Sequence, residues 1–431
     1  MKHSNIFPAS LGLPQLIALY IGAVLGSGIL MLPGVVAESA GPASLLAWIL
    51  MSILVIPMAL TMGLLSIKYP NSGGVSHFVS KAFNPDAGSL IGWFFLLSVV
   101  VGAPVIALVG AGYACAAVGL GGSSRLVLAV FILLTAILTN YIGMKMTSQI
   151  QMAVVMTTIV ILVCAFAGSV FTVDLNDFSP FMPYGWESVG HAGTLIFWSF
   201  LGWEAVSHIS EEFENPERDV VKGTIIAALV IGILYIGTAF VVIGTHSYGP
   251  GISDISLIQL IKVSFGQYGV VFAGLAALFI CIAPVIAYIG AACRLAYSLS
   301  ITGYAPKFLS CLSDRFHTPI GGLWFLGICF TIMLWIFSSG ALSLSTLIQL
   351  PNATFILTYL GGCAAGVVLL KDRKFGVQFS VISLVMTAVV FLFVGWTVIY
   401  PVIITLVWGG FMMYRRRTDE RGCEEPGSGY P

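Results

Sequence analysis

Ionisable residues are scarce in this chain of 431 residues: Asp, Glu, Lys and Arg make up 8% of it, against 58% hydrophobic types and a mean hydropathy of +1.01. A water-soluble domain of that composition would lack the polar surface to cover itself, so the bilayer is the implied solvent. There is no polar stretch long enough for a separate soluble domain. No G-x-x-x-x-G-K-[ST] run and no His, Cys and carboxylate cluster at ligand spacing occurs, which speaks against nucleotide-driven chemistry, a bound metal, a cofactor and an enzyme generally. The eight cysteines never form a C-x-x-C pattern and read as small packing residues. The formal net charge is zero and the basic residues are dispersed, so no face suits nucleic acid. A cleavable signal peptide is not expected either, because the first apolar run lacks a basic flank plus small-residue cleavage site and a second run follows almost at once.

What the chain has in abundance is continuous apolar sequence. About twelve runs reach the roughly 20 residues a helix needs to cross the hydrocarbon, near 14–38, 43–67, 88–119, 125–142, 149–172, 190–211, 220–244, 267–299, 319–338, 343–370, 376–394 and 397–414. Alternation of apolar and polar residues, the mark of a membrane β-barrel, is missing from them. The expected fold is therefore an all-α membrane protein with 12 transmembrane helices, a single domain over 1–414 and a disordered cytoplasmic tail over 415–431. With the amino terminus inside, all but Arg125 and Lys262 of the 18 Lys and Arg residues fall on the cytoplasmic side. That bias predicts a multi-pass protein of the cell membrane with both termini cytoplasmic.

Two runs carry breaks where a membrane helix should be continuous. Gly26-Ser27-Gly28 sits mid-span in IGAVLGSGILMLPG, and Gly202 sits mid-span in LIFWSFLGWEAVSHI. Clustered glycine permits unwinding, and unwound backbone in hydrocarbon is costly unless something polar meets it. Breaks in the first and sixth spans are what two inverted five-helix repeats would give, with helices 11 and 12 appended, and such matched breaks point to a substrate site. The free amides at Ser27, Gly28 and Ile29, with the Ser27 hydroxyl, would receive a carboxylate at the positive end of a half-helix. Carbonyls near Val24, Phe200 and Leu201 would receive an ammonium group. A zwitterion fits such a place.

Glu204 is the one acidic residue placed deep within a span, where an ionised group costs roughly 2.5–3.5 kcal/mol. It either carries protons or ties the loose amides of the broken helices together; the second is favoured, because a carboxylate beside unwound backbone is satisfied without proton transport. His208 follows at i+4 and can share its face, as a coupling group or as an ordinary hydrogen-bonded histidine. Trp198, one turn before the break, can cover a bound molecule or simply pack. Pro57, Pro104, Pro284, Pro351 and Pro401 should kink their helices. With no other deep charge, a neutral and apolar ligand is expected.

The segments IGAVLGSGILMLP, KYPNSGGVSHFVSKAF, FWSFLGWEAVSHISEEFENPERDV and RLAYSLSITGYAPKFLS, in this order, resemble the amino acid-polyamine-organocation superfamily. Their wording is most similar to its amino acid efflux branch, the methionine and branched-chain amino acid exporters. The resemblance implies a ten-helix inverted-repeat core working by alternating access. It places the substrate carboxylate at Gly26, Ser27 and Gly28, the ammonium at Val24 and Leu201, an aromatic gate at Trp198 and the family's acidic residue at Glu204. Two positions depart from the pattern: Thr158 stands where some members carry a lysine in place of a sodium ion, and CIAPVIAYIGAAC offers no Ser/Thr pair to complete a sodium site. Proton coupling, exchange and facilitated passage are all compatible with the sequence. The expected function is secondary transport of neutral amino acids such as methionine, leucine, isoleucine or valine, with a small-molecule substrate and the lipid bilayer as partners and no oligomeric state read from the sequence. A non-transporting membrane sensor or complex subunit on the same fold is the competing reading.

Overall fold

Where the first apolar run meets Gly26, the helix stops. In the computed structural model, which describes residues 11–210, 213–342 and 344–423, α1 (Leu13–Val24) ends at an extended Leu25, and α2 (Ser27–Ala40) starts again after Gly26 at φ −141°, ψ −143°. The sixth run breaks in the same way. Here α8 (Gly185–Phe197) tightens into a 3-10 turn over Trp198–Phe200, Leu201 is extended, and Gly202 adopts φ +135° before a short α9 (Trp203–Ser207). That φ lies where only glycine sits without strain.

The other apolar runs are helices. Between the two breaks come α3 (Ser44–Lys68), a short α4 (Val75–Ala82), α5 (Pro85–Val118), α6 (Gly122–Ile142) and α7 (Met144–Ser169). After them come α10 (Pro216–Gly244), α11 (Ser256–Ile301), α12 (Ile320–Ser338), α13 (Leu344–Leu369), α14 (Gly376–Phe391) and α15 (Ile399–Cys423). Among the described residues nine helical segments are long and apolar enough to cross a membrane, and α1 and α14 are shorter apolar helices. The one β contact described is an isolated bridge between Leu11 and Phe213. Start signals agree with position: Asn84 accepts the Ala87 amide at 2.8 Å ahead of Pro85 and Asp86, and Pro216 opens α10 with Glu217 and Asp219 in its first turn.

One expected boundary holds and another moves. The element α11 starts at Ser256 but is broken at a non-helical Gly266, and its membrane-length part, Tyr268–Ile301, begins where the eighth run was expected. The tail expected to be disordered from 415 begins as helix, since α15 continues to Cys423; residues 424–431 lie outside the described residues, as do Glu211 and Glu212 of the sixth-span motif. No Gly or Pro interrupts Phe411 to Arg421, and Arg and Glu are good helix formers, so nothing stops the helix where the apolar sequence ends.

The core sits around α5 and α11. Small residues let them approach: a Cβ at Gly110 would lie 2.7 Å from the Cys281 Cβ, and one at Gly274 would lie 2.2 Å from the Ala117 Cβ. The second half-helix α2 is tethered to both, because its Leu30 carbonyl accepts the Tyr113 hydroxyl and the Ser256 hydroxyl. Ion pairs stay at the loop ends. Arg373 donates to both Glu217 oxygens at 2.8 and 2.7 Å, and Lys68 donates to Asp372, holding that exposed carboxyl below the usual carboxylate range.

Candidate functional site

The two breaks lie against each other. A Cβ at Gly202 would fall 2.7 Å from the Ala23 carbonyl carbon, and one at Gly28 would fall 2.8 Å from the Ser199 Cα. Glycine is thus required on both strands of the crossing, for close backbone approach. Tyr235 of α10 clips the pair together from behind: its hydroxyl lies 3.0 Å from the Val24 carbonyl and 2.7 Å from the Ser199 carbonyl, one on each interrupted helix. Substituting Tyr235→Phe removes the single O–H proton that these two buried carbonyls share, at a cost of about 1–3 kcal/mol. A melting curve in detergent should show a drop of several degrees; an unchanged midpoint would mean that the breaks hold without the clip.

Beside the crossing is a closed cavity of about 20 Å³, lined by Val24, Gly26, Ser27 and Gly28 from the first break and by Trp198 and Leu201 from the sixth. Its remaining walls come from α5, α11 and α13 and include Gly102, Ile106, Tyr288 and Phe355. Among the described residues no Lys, Arg, His, Asp or Glu lines it. Its polar edge is the break itself. The Trp198 indole N–H donates to the Ser27 hydroxyl oxygen at 3.2 Å, which leaves the Ser27 proton free to be given to a ligand. The first amides of α2 have no side-chain cap. A ligand site ordinarily spans roughly 300 Å³ or more, so this is a shut form that must open to admit one.

The expected site residues divide. Val24, Gly26, Ser27, Gly28, Trp198 and Leu201 line the cavity. The side chains of Ile29, fully buried, and of Phe200, packed between Trp48 and Tyr235 at 6.3 and 5.1 Å, are not among the cavity's lining; what was expected of these two is a backbone amide and a backbone carbonyl. The Gly202 amide is turned to Glu204 rather than to the cavity, donating to Oε2 at 2.9 Å.

Glu204 is enclosed by donors. Besides Gly202, the Tyr359 hydroxyl donates to Oε2 and the Tyr288 hydroxyl to Oε1 at 2.9 Å. One carboxylate therefore joins the sixth-span break to α11 and α13, and the Tyr288 ring separates it from the cavity. His208 lies further along. Its Nδ1–H donates to the Ser72 carbonyl at 3.0 Å and its ring sits 4.7 Å from Phe95, so it seals a packed layer beyond Glu204 instead of reaching the cavity. Thr158 spends its hydroxyl on Val154 in its own helix, at 2.9 Å.

Several contributors carried no signal in the sequence. Tyr235, Tyr288, Tyr359 and Phe355 are aromatics in uniformly apolar helices, with no period to say which one turns to the break. Ser199 had a faint one. Its hydroxyl, buried against Gly28 and without a hydrogen-bond partner among the described residues, stands three residues before the sixth-span break.

Interrupted helices crossing beside a closed, apolar-walled cavity within a bundle of membrane-length helices are the build of a carrier for small solutes. The chain belongs to the amino acid permease family, whose model matches residues 11–415. It is 37% identical over 387 residues to the uncharacterized amino acid permease YecA of Bacillus subtilis, covering 90% of this chain and 91% of that one. It is 32% identical over 421 residues to the L-methionine/branched-chain amino acid exporter YjeH of Escherichia coli, covering 96% and 98%. The branched-chain amino acid permease BcaP of Bacillus subtilis is 27% identical over 338 residues, or 74% of this chain and 72% of that one. This is a multi-pass membrane protein of an amino acid transport family.

Proposed function

We propose that the chain is a secondary transporter of neutral, apolar L-amino acids such as methionine, leucine, isoleucine and valine, working by alternating access in the cell membrane. The observation that carries this reading is the crossing of the two breaks beside a cavity without charged side chains. The amides at Ser27 and Gly28, with the Ser27 proton, take the substrate carboxylate; the carbonyls at Val24 and Leu201 take its ammonium. The Val24 carbonyl already holds Tyr235 on one lone pair and has the other to offer. The apolar wall at Gly102, Ile106 and Phe355 takes the side chain.

In this reading twelve helices cross the membrane, the first ten as two inverted five-helix repeats, with both termini cytoplasmic. Trp198, against Phe355 at 6.3 Å, closes the outer side, and the layer of Tyr288, Glu204, Phe95 and His208 closes the inner side. Opening one closure while the other holds gives alternating access. Glu204, with every nearby donor aimed at it, serves as the tie of the inner layer rather than as a proton carrier.

Reconstitution tests the proposal. Liposomes holding the purified chain should exchange labelled leucine or methionine, and unlabelled apolar amino acids should compete while lysine and glutamate do not. Absence of exchange in either direction, with folded protein in the bilayer, would favour a sensor or complex subunit.

A further inference from the structure

A second cavity, of about 230 Å³, lies between α8, α13 and the turn joining α14 to α15, at the end of the bundle where Trp198 closes the first. Asn352 lines it while being only 3% exposed. Its amide orientation is fixed by chemistry: Nδ2 lies 2.7 Å from the Thr194 carbonyl and must be the donor there. Oδ1 is therefore an acceptor, and it is buried with no partner among the described residues. An unpaired buried acceptor costs about 1–3 kcal/mol unless a donor arrives. The donors nearby do not supply one: Gln349, which also lines the cavity, makes no hydrogen bond to Oδ1, Thr194 lies within reach of the Gly190 and Val390 carbonyls, and Thr397 donates to the Val394 carbonyl. No Lys or Arg lines the cavity, Phe393 and the 60% exposed Trp396 offer aromatic faces, and Glu187 stands 3.8 Å from the lining His191. A cation with N–H donors suits the Asn352 oxygen and the aromatic faces.

We propose that this cavity binds a small molecule through a protonated primary amine, given to Asn352 Oδ1 beside the aromatic rings of Phe393 and Trp396. Two sources carry that group: a free amino acid on its way to the central cavity, or the headgroup of an aminophospholipid. The first source rests on the proposed transport function; the amine chemistry itself does not. The site is joined to the gate. Thr194 is one turn before Trp198 on the interrupted helix, and Asn352 is one turn before Phe355, which packs on Trp198. An occupant therefore holds α8 to α13 at the closure and biases it toward the shut form.

The probe is tritiated L-leucinol, which keeps the amine and lacks the carboxylate that the central breaks require. Equilibrium dialysis is run on the purified full chain and on Gly102→Leu, whose side chain fills the central cavity next to Trp198. One leucinol per chain is expected in both. Binding should be lost in Asn352→Leu, and weakened at least about tenfold in Trp396→Arg, which places a like charge at the mouth without touching a buried group. No leucinol binding to the unaltered chain, or binding that Trp396→Arg leaves unchanged, overturns the proposal. Nanodiscs separate the sources: displacement of leucinol in phosphatidylethanolamine but not in phosphatidylcholine identifies the headgroup, and equal binding identifies the soluble amine. Loss of amino acid exchange with leucinol binding intact would count against the transport reading alone.

Discussion

Gly28→Ala is expected to lower amino acid exchange by about 100-fold or more while the protein still reaches the membrane, because misplacing a binding group by about 1 Å costs on that order. The added Cβ would stand 2.3 Å from Ser199 Oγ, 2.8 Å from its Cα and 2.9 Å from its Cβ. The hydroxyl can rotate away; the Cα cannot, because Ser199 belongs to the 3-10 turn and its carbonyl is held by Tyr235. The two interrupted helices must then separate, at an overpacking cost of about 1–3 kcal/mol, which a membrane bundle tolerates but a two-sided clamp on a small ligand does not. Gly193→Ala is the matched control. It lies on α8 with nothing within 4 Å of its would-be Cβ, so it should leave exchange intact and raise stability by about 0.5–1 kcal/mol through helix propensity. Exchange rates in liposomes normalised to inserted protein check both; near-normal exchange by Gly28→Ala would remove the first break from the site.

The second large effect concerns Glu204. Substituting Glu204→Ala leaves the Gly202 amide and the Tyr288 and Tyr359 hydroxyls buried without their acceptor, each at about 1–3 kcal/mol. That sum approaches the whole stability of an ordinary domain, so no folded, monodisperse protein is expected. Glu204→Gln keeps one carbonyl oxygen, and a tyrosine hydroxyl can turn to accept from the new amide. It should fold with a melting point several degrees lower, and its exchange should follow the same pH profile as the unaltered chain. A Gln variant of unchanged stability whose exchange no longer depends on pH would show that Glu204 carries protons instead.

What the sequence made legible followed from how far each signal is local. Membrane helices are, since length and apolarity are properties of one segment. The breaks are too, because Gly26 and Gly202 declare a departure from helix in their own neighbourhood, and Glu204 declares itself by being a charge where charge is costly. The partners of those residues were not. α5 and α11 are apolar on all faces, so no stripe distinguishes Gly102 or Tyr288, which face the cavity, from neighbours that face other helices. Ile29 and Phe200 were placed at the site for a backbone amide and a backbone carbonyl, and since adjacent residues on a helix point about 100° apart, their side chains pack elsewhere without bearing on that role. The end of α15 was misjudged for a different reason: apolar sequence marks where the membrane ends, and helix propensity in the Arg-rich segment carries the helix on to Cys423.

Hydrogen exchange with and without saturating L-methionine, read on peptides covering 24–29 and 199–203, addresses the ligand grip most directly. If backbone at both interruptions holds the amino acid, exchange in the two peptides slows together, and the slowing is absent in Gly28→Ala. Protection confined to other helices, in a sample that still exchanges methionine across liposomes, would contradict it.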